Sequence, residues 1–330
     1  MLAPVAWRTP PRKYGPWEQI ASNITEALVR KGFDVTLFAT SDSITKGKLK
    51  SICKSGYEED KELDPKVEEC MHISYLMEQA HEYDIIHNNF DFLPLTYSNL
   101  VKTPMVTTIH GFSSPKIIPV YKRFNDINNY VSISYADRSK QLDYIANVYN
   151  GINPDSFTLR KEQGSYLLYF GRIHHDKGTH ESINIALKAK MKLIIAGYIQ
   201  DEGYYREKVE PYIDGEQIIY TGNAGPEQRD KLLGEAYALL HPINFKEPFG
   251  LSVAESMFCG TPVIAFKKGS MPELIEDEKT GFLVNNIDEA VDVIPQIKTI
   301  DRHYCSQRAQ SKFSVDKMTE DYIKVYKKIL

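Results

Sequence analysis

Cysteine is scarce in this sequence of 330 residues, and no two cysteines form a C-x-x-C pair. The four cysteines are Cys53, Cys70, Cys259 and Cys305. Their number and spacing exclude a disulfide framework and a cysteine zinc site, and they favour a reducing compartment. No apolar run approaches the ~18–20 residues of a membrane-spanning helix. The apolar residues 1–7 are too few for a signal peptide, and Pro10-Pro11 follows them. We therefore expect a cytoplasmic protein.

An excess of charge of one sign is also missing, because 40 Lys and Arg residues stand against 44 Asp and Glu residues. A formal net charge of −4 argues against a general nucleic-acid binder. Apolar residues make up 42% of the chain, which supports a sizeable core and argues against a disordered protein. At 330 residues the chain is about twice the usual length of one domain, so we expect two domains.

Short apolar runs alternate with helix-period segments along the whole chain. In the first half we predict strands at residues 2–6, 35–39, 83–87, 105–109, 130–133 and 145–149. In the second half we predict strands at residues 166–170, 191–196, 217–221, 238–240, 262–266 and 282–284. Strands that alternate with helices indicate βαβ units and a mostly parallel sheet.

A polar stretch at residues 150–165 interrupts this alternation and marks a domain boundary. We predict an N-terminal Rossmann-like domain at residues 1–150, a linker at 151–165 and a C-terminal Rossmann-like domain at 166–330. The last helix, near residues 315–329, is expected to pack across both domains. The predicted fold class is thus α/β, with two doubly wound domains facing each other across a cleft. Ligands bind such folds at the carboxyl ends of the strands, and the cleft is the default site.

The strongest local motif is HPINFKEPFGLSVAE at residues 241–255, where a strand ends and a helix begins near Gly250. The amides of Phe249, Gly250 and Leu251 would lie at the helix N-terminus, which is a ready anion site. Glu247 precedes the helix and Glu255 lies more than a turn inside it. Each carboxylate could bind a different part of one ligand, or both could be ordinary helix charges.

A second motif is YFGRIHHDKG at residues 169–178, which also follows a strand and precedes a helix. Arg172 and Lys177 flank a short loop and could converge on one diphosphate, one as a planar fork and the other as a point charge. The run His174-His175-Asp176 suggests a metal at first sight. Adjacent side chains in a loop rarely ligate one ion, and no partner cluster is visible in the sequence, so we expect no metal site.

Two weaker signals lie in the first half of the chain. His110 follows the predicted strand at residues 105–109, where it is either a packed residue or a group that faces the predicted cleft. The segment RKYGPWE at residues 12–18 lies between the first strand and the first helix. It lacks the G-x-G-x-x-G dinucleotide fingerprint, and the chain has no Walker loop, so the two commonest nucleotide-binding motifs are absent.

Together these residues resemble the retaining glycosyltransferases of family four, the glycosyl transferases group 1, which have the GT-B fold. The E-x7-E motif of that family is matched by Glu247 and Glu255, and its G-R-x4-K element by Gly171, Arg172 and Lys177. Further matches are Ile195-Ala196-Gly197, Thr221-Gly222, Leu240-His241-Pro242 and Gly260-Thr261-Pro262-Val263. The likeness covers nearly the whole chain.

The resemblance implies roles for the residues that match. Arg172 and Lys177 would hold the donor diphosphate, Glu255 would bind the nucleotide ribose, and Glu247 would bind hydroxyls of the donor sugar. The backbone of residues 249–251 would meet the phosphates or the sugar.

In the first domain, the resemblance places His110 beside the transferred sugar, so that Glu247 and His110 are the candidate catalytic residues. Gly15 would lie in the loop that closes over the phosphates. The family often has a Gly-Gly pair there, whereas this chain has Gly15-Pro16, and proline removes one amide donor.

The implied activity is metal-independent, retaining transfer of a hexose from a nucleotide sugar to an acceptor hydroxyl, with no cofactor. A UDP-sugar is the first choice of donor and a GDP-sugar the second, on family frequency alone. The alternatives are a nucleotide-sugar epimerase or phosphorylase of the same fold, a non-catalytic nucleotide-sugar-binding protein, or a purely structural role for the motifs. The expected partners are the nucleotide sugar and an unidentified acceptor, whose site the loops at residues 88–95 and 113–120 would shape.

Membrane contact is a further alternative. The first domain carries a basic run of Lys46, Lys48, Lys50 and Lys54, and the last helix carries Lys317, Lys324, Lys327 and Lys328 beside apolar residues. Surface helices of soluble proteins have the same pattern, and interfacial binding needs a stronger apolar face. A protein free in solution is therefore favoured over one peripheral to the membrane.

Overall fold

The computed structural model describes residues 1–112 and 114–330; Ser113, in one of the two loops expected to shape the acceptor site, lies outside the described residues. The chain divides into two compact units. The first consists of residues 1–151 together with 315–330, and the second of residues 152–314. The described chain thus passes from one unit to the other at two points, after Gly151 and after Ser314.

The strands alternate with helices in chain order. The strands of the first unit are β1 (Thr36–Phe38), β2 (Lys48–Lys50), β3 (Ile86–Asn88), β4 (Met105–Ile109), β5 (Asn129–Ser132) and β6 (Tyr144–Asn147). Those of the second unit are β7 (Tyr166–Phe170), β8 (Leu193–Ala196), β9 (Ile218–Tyr220), β10 (Ala236–His241), β11 (Val263–Phe266) and β12 (Gly281–Val284). Eleven of these strands overlap a predicted strand, and β2 does not.

Helices separate most of these strands, and two helices close the chain. The α-helices are α1 (Pro16–Arg30), α2 (Pro65–Met77), α3 (Ile118–Arg123), α4 (Thr179–Ala189), α5 (Glu202–Lys208), α6 (Pro226–Gly234), α7 (Leu251–Phe258), α8 (Met271–Leu274), α9 (Ile287–Val293), α10 (Arg302–Phe313) and α11 (Val315–Ile329). Short 3-10 helices lie at Ala80–Glu82, Leu93–Tyr97, Pro115–Ile117, Pro154–Ser156, Glu210–Tyr212 and Ile294–Thr299. The terminal helix α11 matches its predicted bounds at both ends.

The sheet of the first unit is parallel throughout. Its strands form two groups, β2-β1 and β3-β4-β5-β6, and Leu2 joins them because it bridges both Phe38 and Asn88 in parallel register. The predicted first strand at residues 2–6 is therefore reduced to one bridging residue. Pro4 has no N–H to continue the ladder, and the chain bends at residues 5–7.

The sheet of the second unit is parallel and has the order β12-β11-β10-β7-β8-β9. Counted from the first strand of this unit, that is the doubly wound order 3-2-1-4-5-6, which confirms the predicted α/β fold class. Strands β7 and β10 are neighbours, with Leu240 opposite Tyr169. Their carboxyl ends lie side by side, and the two sequence motifs continue from these ends.

The terminal helix α11 belongs to the first unit, although the sequence analysis predicts it as the end of the C-terminal domain, packed across both domains. A buried polar network explains its position. The hydroxyl of Tyr326 lies 2.7 Å from Nδ1 of His87, whose Nε2 lies 2.8 Å from Oγ1 of Thr108. The hydroxyl of Tyr322 is 2.6 Å from the same Thr108 oxygen. Because His87 and Thr108 lie on β3 and β4, these bonds attach α11 to the sheet of the first unit.

The predicted linker at residues 151–165 is not separate from the second unit. Ile152 pairs with Ser314, and the amide of Thr158 donates to Oδ1 of Asp230 at 2.7 Å. Arg160 forms a salt bridge of 2.8 Å with the same carboxylate. These bonds hold the segment against α6, so a polar composition here reflects side-chain pairing with the unit.

Several of the residues that suggested membrane contact have partners within the protein. Tyr322 and Tyr326 of α11 are buried, and Lys324 pairs with Asp321. In the basic run, Lys48 pairs with Asp34 and Lys50 with Glu82. Among the described residues, no helix is both long and apolar enough to cross a membrane.

Candidate functional site

The two motif loops of the second unit are packed backbone to backbone. A side chain at Gly178 would meet the carbonyl oxygen of Pro242 at 2.1 Å, so only glycine fits there. Between the same two loops, the amide of Asn244 donates to the carbonyl of Asp176 at 2.9 Å. Because β7 and β10 are neighbours, loops that follow them meet at the same edge of the sheet. The contact brings Lys177 of one motif next to Glu247 of the other.

Lys177 and Glu247 form an ion pair at this contact. Nζ of Lys177 lies 2.7 Å from Oε2 of Glu247, with side-chain exposures of only 15% and 11%. The same ammonium lies 4.4 Å from the centre of the Phe245 ring, in a cation–π contact. Nε2 of His241 lies 3.7 Å from Oε2 of Glu247, which is too long for a hydrogen bond.

Glu247 is ionised in this environment. Burial raises the pKa of its carboxyl, but the charge of Lys177 and the neighbouring His241 outweigh burial and lower the pKa to about 2. The carboxylate is therefore an acceptor at neutral pH, suited to bind hydroxyl groups. A sugar hydroxyl is one group of that kind.

The loop after β11 supports the backbone around Glu247 through hydrogen bonds. The amide of Ser270 donates to the carbonyl of Glu247 at 3.0 Å, and its hydroxyl donates to the carbonyl of Phe249 at 2.6 Å. A side chain at Gly269 would meet the backbone of Glu247 at 2.4 Å. Sequence analysis missed this support, because nothing in the segment KKGS at residues 267–270 marks it as a neighbour of the motif.

Helix α7 begins where the E-x7-E motif predicts. Gly250 has a φ of 95° and precedes the first helical residue, Leu251. The first amides of a helix have no partner within it and carry a partial positive charge. Phe249 is buried and packs edge-on against Phe313, with ring centres 5.8 Å apart. Residues 249–251, predicted to bind an anion, therefore lie at the start of a helix, and the ring contact of Phe249 with Phe313 fixes their position.

Arg172 lies in the same loop as Lys177 but has a different partner. Its Nη1 donates to the side-chain carbonyl of Gln200, which follows β8. The hydroxyl of Tyr169 donates to the backbone carbonyl of Arg172 at 2.6 Å, which fixes the start of the loop. Its convergence with Lys177 on one diphosphate stays a prediction.

Glu255 pairs with an arginine that sequence analysis missed. Nη1 of Arg229, on α6, lies 2.9 Å from Oε1 of Glu255, with side-chain exposures of 19% and 9%. Burial raises the pKa of Glu255 and outweighs the opposing effect of Arg229. Nε of Arg229 is buried without a hydrogen-bond partner among the described residues. Only the packing of α6 on α7 brings together these positions, which are 26 residues apart.

His110 of the first unit is buried beside Trp17 and Asn89. Its ring stacks on Trp17 with centres 5.5 Å apart, and its Nε2 lies 3.0 Å from Oδ1 of Asn89. Because an amide oxygen only accepts, Nε2 carries the proton and Nδ1 is left with a lone pair. Nδ1 has no partner among the described residues. Burial lowers the pKa of His110 to about 3, so the ring is neutral at physiological pH.

Gly15 lies at the start of α1, as the sequence predicts, and its carbonyl accepts from the amide of Gln19 at 3.0 Å. Glu18, in the first turn of this helix, is buried and accepts a bond of 3.2 Å from the amide of Trp7. Burial raises the pKa of Glu18 to about 7. The candidate residues therefore lie in two sets, Gly15 and His110 in the first unit and the remaining ones in the second.

A family model matches residues 154–312, and its description is "Glycosyl transferases group 1". This segment corresponds to nearly all of the second unit. It includes the Lys177–Glu247 pair, the Arg229–Glu255 pair and the helix start at Gly250.

Similar proteins include several glycosyltransferases. An uncharacterized glycosyltransferase of Methanocaldococcus jannaschii is 22% identical over 99% of this chain and 97% of its own length. The lipopolysaccharide 1,2-N-acetylglucosaminetransferase of Salmonella typhimurium is 27% identical, over 46% of this chain and 44% of its own.

Solved structures share the fold at low identity. The sucrose-phosphate synthase of Thermosynechococcus elongatus has a TM-score of 0.77 at 18% identity, over 99% of this chain and 98% of its own. HepE of Anabaena, in complex with UDP-glucose, has a TM-score of 0.73 at 18% identity, over 99% and 98%. These likenesses and the family match agree with the paired motif loops of the second unit. Residues 154–312 therefore form a segment of the glycosyl transferases group 1 kind, and the protein is a glycosyltransferase.

Proposed function

We propose that this glycosyltransferase moves a hexose from a nucleotide sugar to an acceptor hydroxyl, with retention of configuration and without a metal in the transfer step. The observation that carries the proposal is the Lys177–Glu247 pair beside the start of α7. It combines a cation, an ionised carboxylate and helix amides within one set of contacts. The cation and the helix amides suit a diphosphate, and the carboxylate suits the hydroxyl groups of a sugar.

The second unit would bind the donor. Lys177 and Arg172 would hold the diphosphate, helped by the backbone at residues 249–251. Glu247, ionised at neutral pH, would accept hydrogen bonds from the sugar. Glu255 would bind the ribose, while Arg229 neutralises its charge.

The first unit would receive the acceptor and contribute His110 and Gly15. With Nε2 bonded to Asn89, His110 presents Nδ1 as a neutral acceptor for a sugar hydroxyl. Gly15 would act through the loop before α1. The proposed division of labour follows the chain's two units, each with its own parallel sheet.

The reaction breaks the bond between the anomeric carbon and the diphosphate oxygen. Negative charge then develops on the leaving phosphate, where Lys177, Arg172 and the amides at the start of α7 would stabilise it. The acceptor oxygen attacks the same face of the sugar, and its proton passes to the departing phosphate. These groups are fixed before the reaction, which is the condition under which such stabilisation is largest.

A UDP-sugar is the first donor to test and a GDP-sugar the second. The HepE structure contains UDP-glucose. A Dictyostelium relative that is 26% identical over 39% of this chain is named a GDP-Man mannosyltransferase. A ligand that binds only the folded protein raises its melting temperature by mass action, so a screen of nucleotides and nucleotide sugars identifies the donor.

The deciding experiment is transfer from the donor so identified, with and without EDTA, and with the anomeric configuration of the product read by NMR. We expect equal rates in both conditions and a retained configuration. Rescue of an EDTA-inactivated enzyme by magnesium or manganese would refute metal independence. Release of a free epimer would indicate an epimerase, and tight binding without turnover on any acceptor would indicate a binding protein.

A matched pair of lysine variants separates a specific diphosphate contact from a general charge effect. Lys177→Ala should weaken binding of the donor and the nucleoside diphosphate alike and leave nucleoside binding unchanged. Lys188→Ala, on α4 of the same unit, removes an exposed lysine that pairs with Asp288 at 2.6 Å and should change neither. Equal loss of nucleoside binding in Lys177→Ala would assign that lysine elsewhere.

A further inference from the structure

Three potential metal ligands meet beside the motif loop after β7. His174, His175 and Asp201 each offer one ligand atom, and these atoms lie within 4.8 Å of one another. The sequence shows the two histidines but not their partner, which is 26 positions beyond His175. The fold supplies it, since the amide of Asp201 donates to the carbonyl of Ile173 at 3.2 Å. The backbone thus fixes the aspartate next to the histidine pair.

Two of the three ligands, His174 and Asp201, are already oriented by a neighbouring group. Nδ1 of His174 lies 2.6 Å from Oδ1 of Asp176, which leaves Nε2 of that ring for a metal. Metal-binding histidines usually donate their second ring nitrogen to a carboxylate in this way. Oδ1 of Asp201 accepts from the amide of Tyr204 at 3.0 Å, and its Oδ2 lies 3.2 Å from Nδ1 of His175. Only the second oxygen of Asp201 therefore faces the histidines.

We propose that His174, His175 and Asp201 form a site for a divalent transition metal, with Zn²⁺ the first candidate. Two imidazoles and one carboxylate are donors that Zn²⁺ accepts readily, whereas Mg²⁺ and Ca²⁺ prefer oxygen ligands alone. Tetrahedral coordination with bonds of about 2.0–2.1 Å needs ligand atoms about 3.3 Å apart. Rotation of the exposed His175 side chain, 66% accessible, would close the remaining gap.

The metal would have a local role and take no part in sugar transfer. Its ligands are distinct from Lys177, Glu247, Arg229 and Glu255, which carry the proposed function. A bound ion would tie the loop at residues 171–178 to the start of α5, which begins after Asp201. Loss of the site would therefore leave the proposed metal-independent transfer standing, and failure of transfer would leave the site standing.

Metal titration of the full chain tests the proposal. After removal of metals with a chelator and dialysis, Zn²⁺ is titrated by calorimetry, and Co²⁺ is added in parallel because its visible absorption reports coordination. We expect one ion per chain. His175→Ala and Asp201→Asn should each weaken binding at least ~10-fold, and Asp176→Ala should weaken it ~10–100-fold, the range for loss of a group that orients a metal ligand.

The variants are chosen so that folding does not decide the result. The Asp201→Asn variant keeps the cap of α5, because an asparagine side chain accepts from the same amide. His303→Ala, an exposed histidine on α10 of the same unit, is the matched control and should bind Zn²⁺ as the unmodified chain does. No binding of either ion, or equal binding by all the variants, would overturn the site and leave two ion pairs of purely structural character.

Discussion

The ammonium of Lys177 lies 2.7 Å from Oε2 of Glu247, and this pair joins two motifs that are 70 positions apart in the chain. One residue is expected to hold the donor diphosphate and the other the donor sugar. Each neutralises the other where both are largely buried, so removal of either partner leaves an uncompensated charge. A variant at either residue is therefore expected to change both the stability of the protein and its binding of the donor. The variants must be chosen to separate these two effects.

Lys177→Met should destabilise the protein by about 3–5 kcal/mol, the range for breaking a buried ion pair from one side. The double variant Lys177→Met with Glu247→Gln should recover most of that loss, because no unpaired charge remains. Calorimetric unfolding of the single and double variants measures both effects. Additive losses in the double variant would show that the two side chains are not coupled.

The same pair makes the stability of the second unit depend on pH in the acid range. The pKa of Glu247 is lowered to about 2 in the folded protein from an ordinary value of 4.5. A lowered carboxyl pKa contributes stability that is present above pH 4.5 and lost as the pH falls toward 2. The contribution is about 3 kcal/mol, and Glu247→Gln should lack it. Unfolding of both proteins at pH 6 and pH 3 checks the difference.

Glu247→Gln should lower turnover by ~10²-fold or more, the scale expected when one preorganised polar contact to a transition state is lost. Affinity for the bare nucleoside diphosphate should hold or rise, because that ligand has no sugar and Lys177 is released from its partner. Initial transfer rates and calorimetric affinities measure the two quantities. Weaker nucleotide binding with unchanged turnover at saturating donor would show that Glu247 does not bind the sugar.

Arg229→Gln should weaken nucleoside diphosphate and full donor by similar factors, about 10-fold. Burial already raises the pKa of Glu255, and removing its cation favours the neutral carboxyl further. Glu255→Gln should weaken both ligands as well, and the double variant should be no worse than Glu255→Gln alone. Full additivity in calorimetric affinities would place Arg229 outside this contact.

The first unit should lose stability in a different and milder pH range. Burial lowers the pKa of His72 to about 4, that of His110 to about 3, and that of His87 well below 6.5. A lowered histidine pKa means that the unfolded chain takes up the proton first, so stability falls as the pH drops below 6.5. Each such group removes about 1.4 kcal/mol per pH unit in that range. Glu18, whose pKa burial raises to about 7, has the opposite effect below pH 7, because the folded chain takes up its proton first, but one carboxyl does not offset three histidines.

Tryptophan fluorescence isolates this effect, because both tryptophans, Trp7 and Trp17, lie in the first unit. Urea midpoints read by fluorescence should fall between pH 7.5 and pH 5. His72→Gln should flatten that dependence, whereas His303→Gln, an exposed residue of the second unit, should leave it unchanged. A flat profile for the unmodified chain would show that the pKa values of these histidines are not lowered by folding.

Sequence periodicity determined most of the elements of this protein. The buried strands β4 and β7 match their predicted bounds without a shift, because five residues rich in apolar and β-branched side chains between polar segments admit few alternatives. Strand β2 was not predicted, because Lys48 and Lys50 flank a single apolar residue. This exposed edge strand of three residues therefore contains no apolar run. The motifs also located the loops at the carboxyl ends of β7 and β10, since glycine and proline mark where strands stop.

Only the tertiary structure decided which of these residues touch. Whether Lys177 meets Glu247, Arg229 meets Glu255, or Asp201 joins two histidines depends on strand order and helix packing, and residues 26–70 positions apart carry no mark of it. The same holds for α11, whose amphipathic pattern fits any apolar surface. The hydroxyls of Tyr322 and Tyr326 find partners on β3 and β4, and those buried hydrogen bonds assign the helix to the first unit.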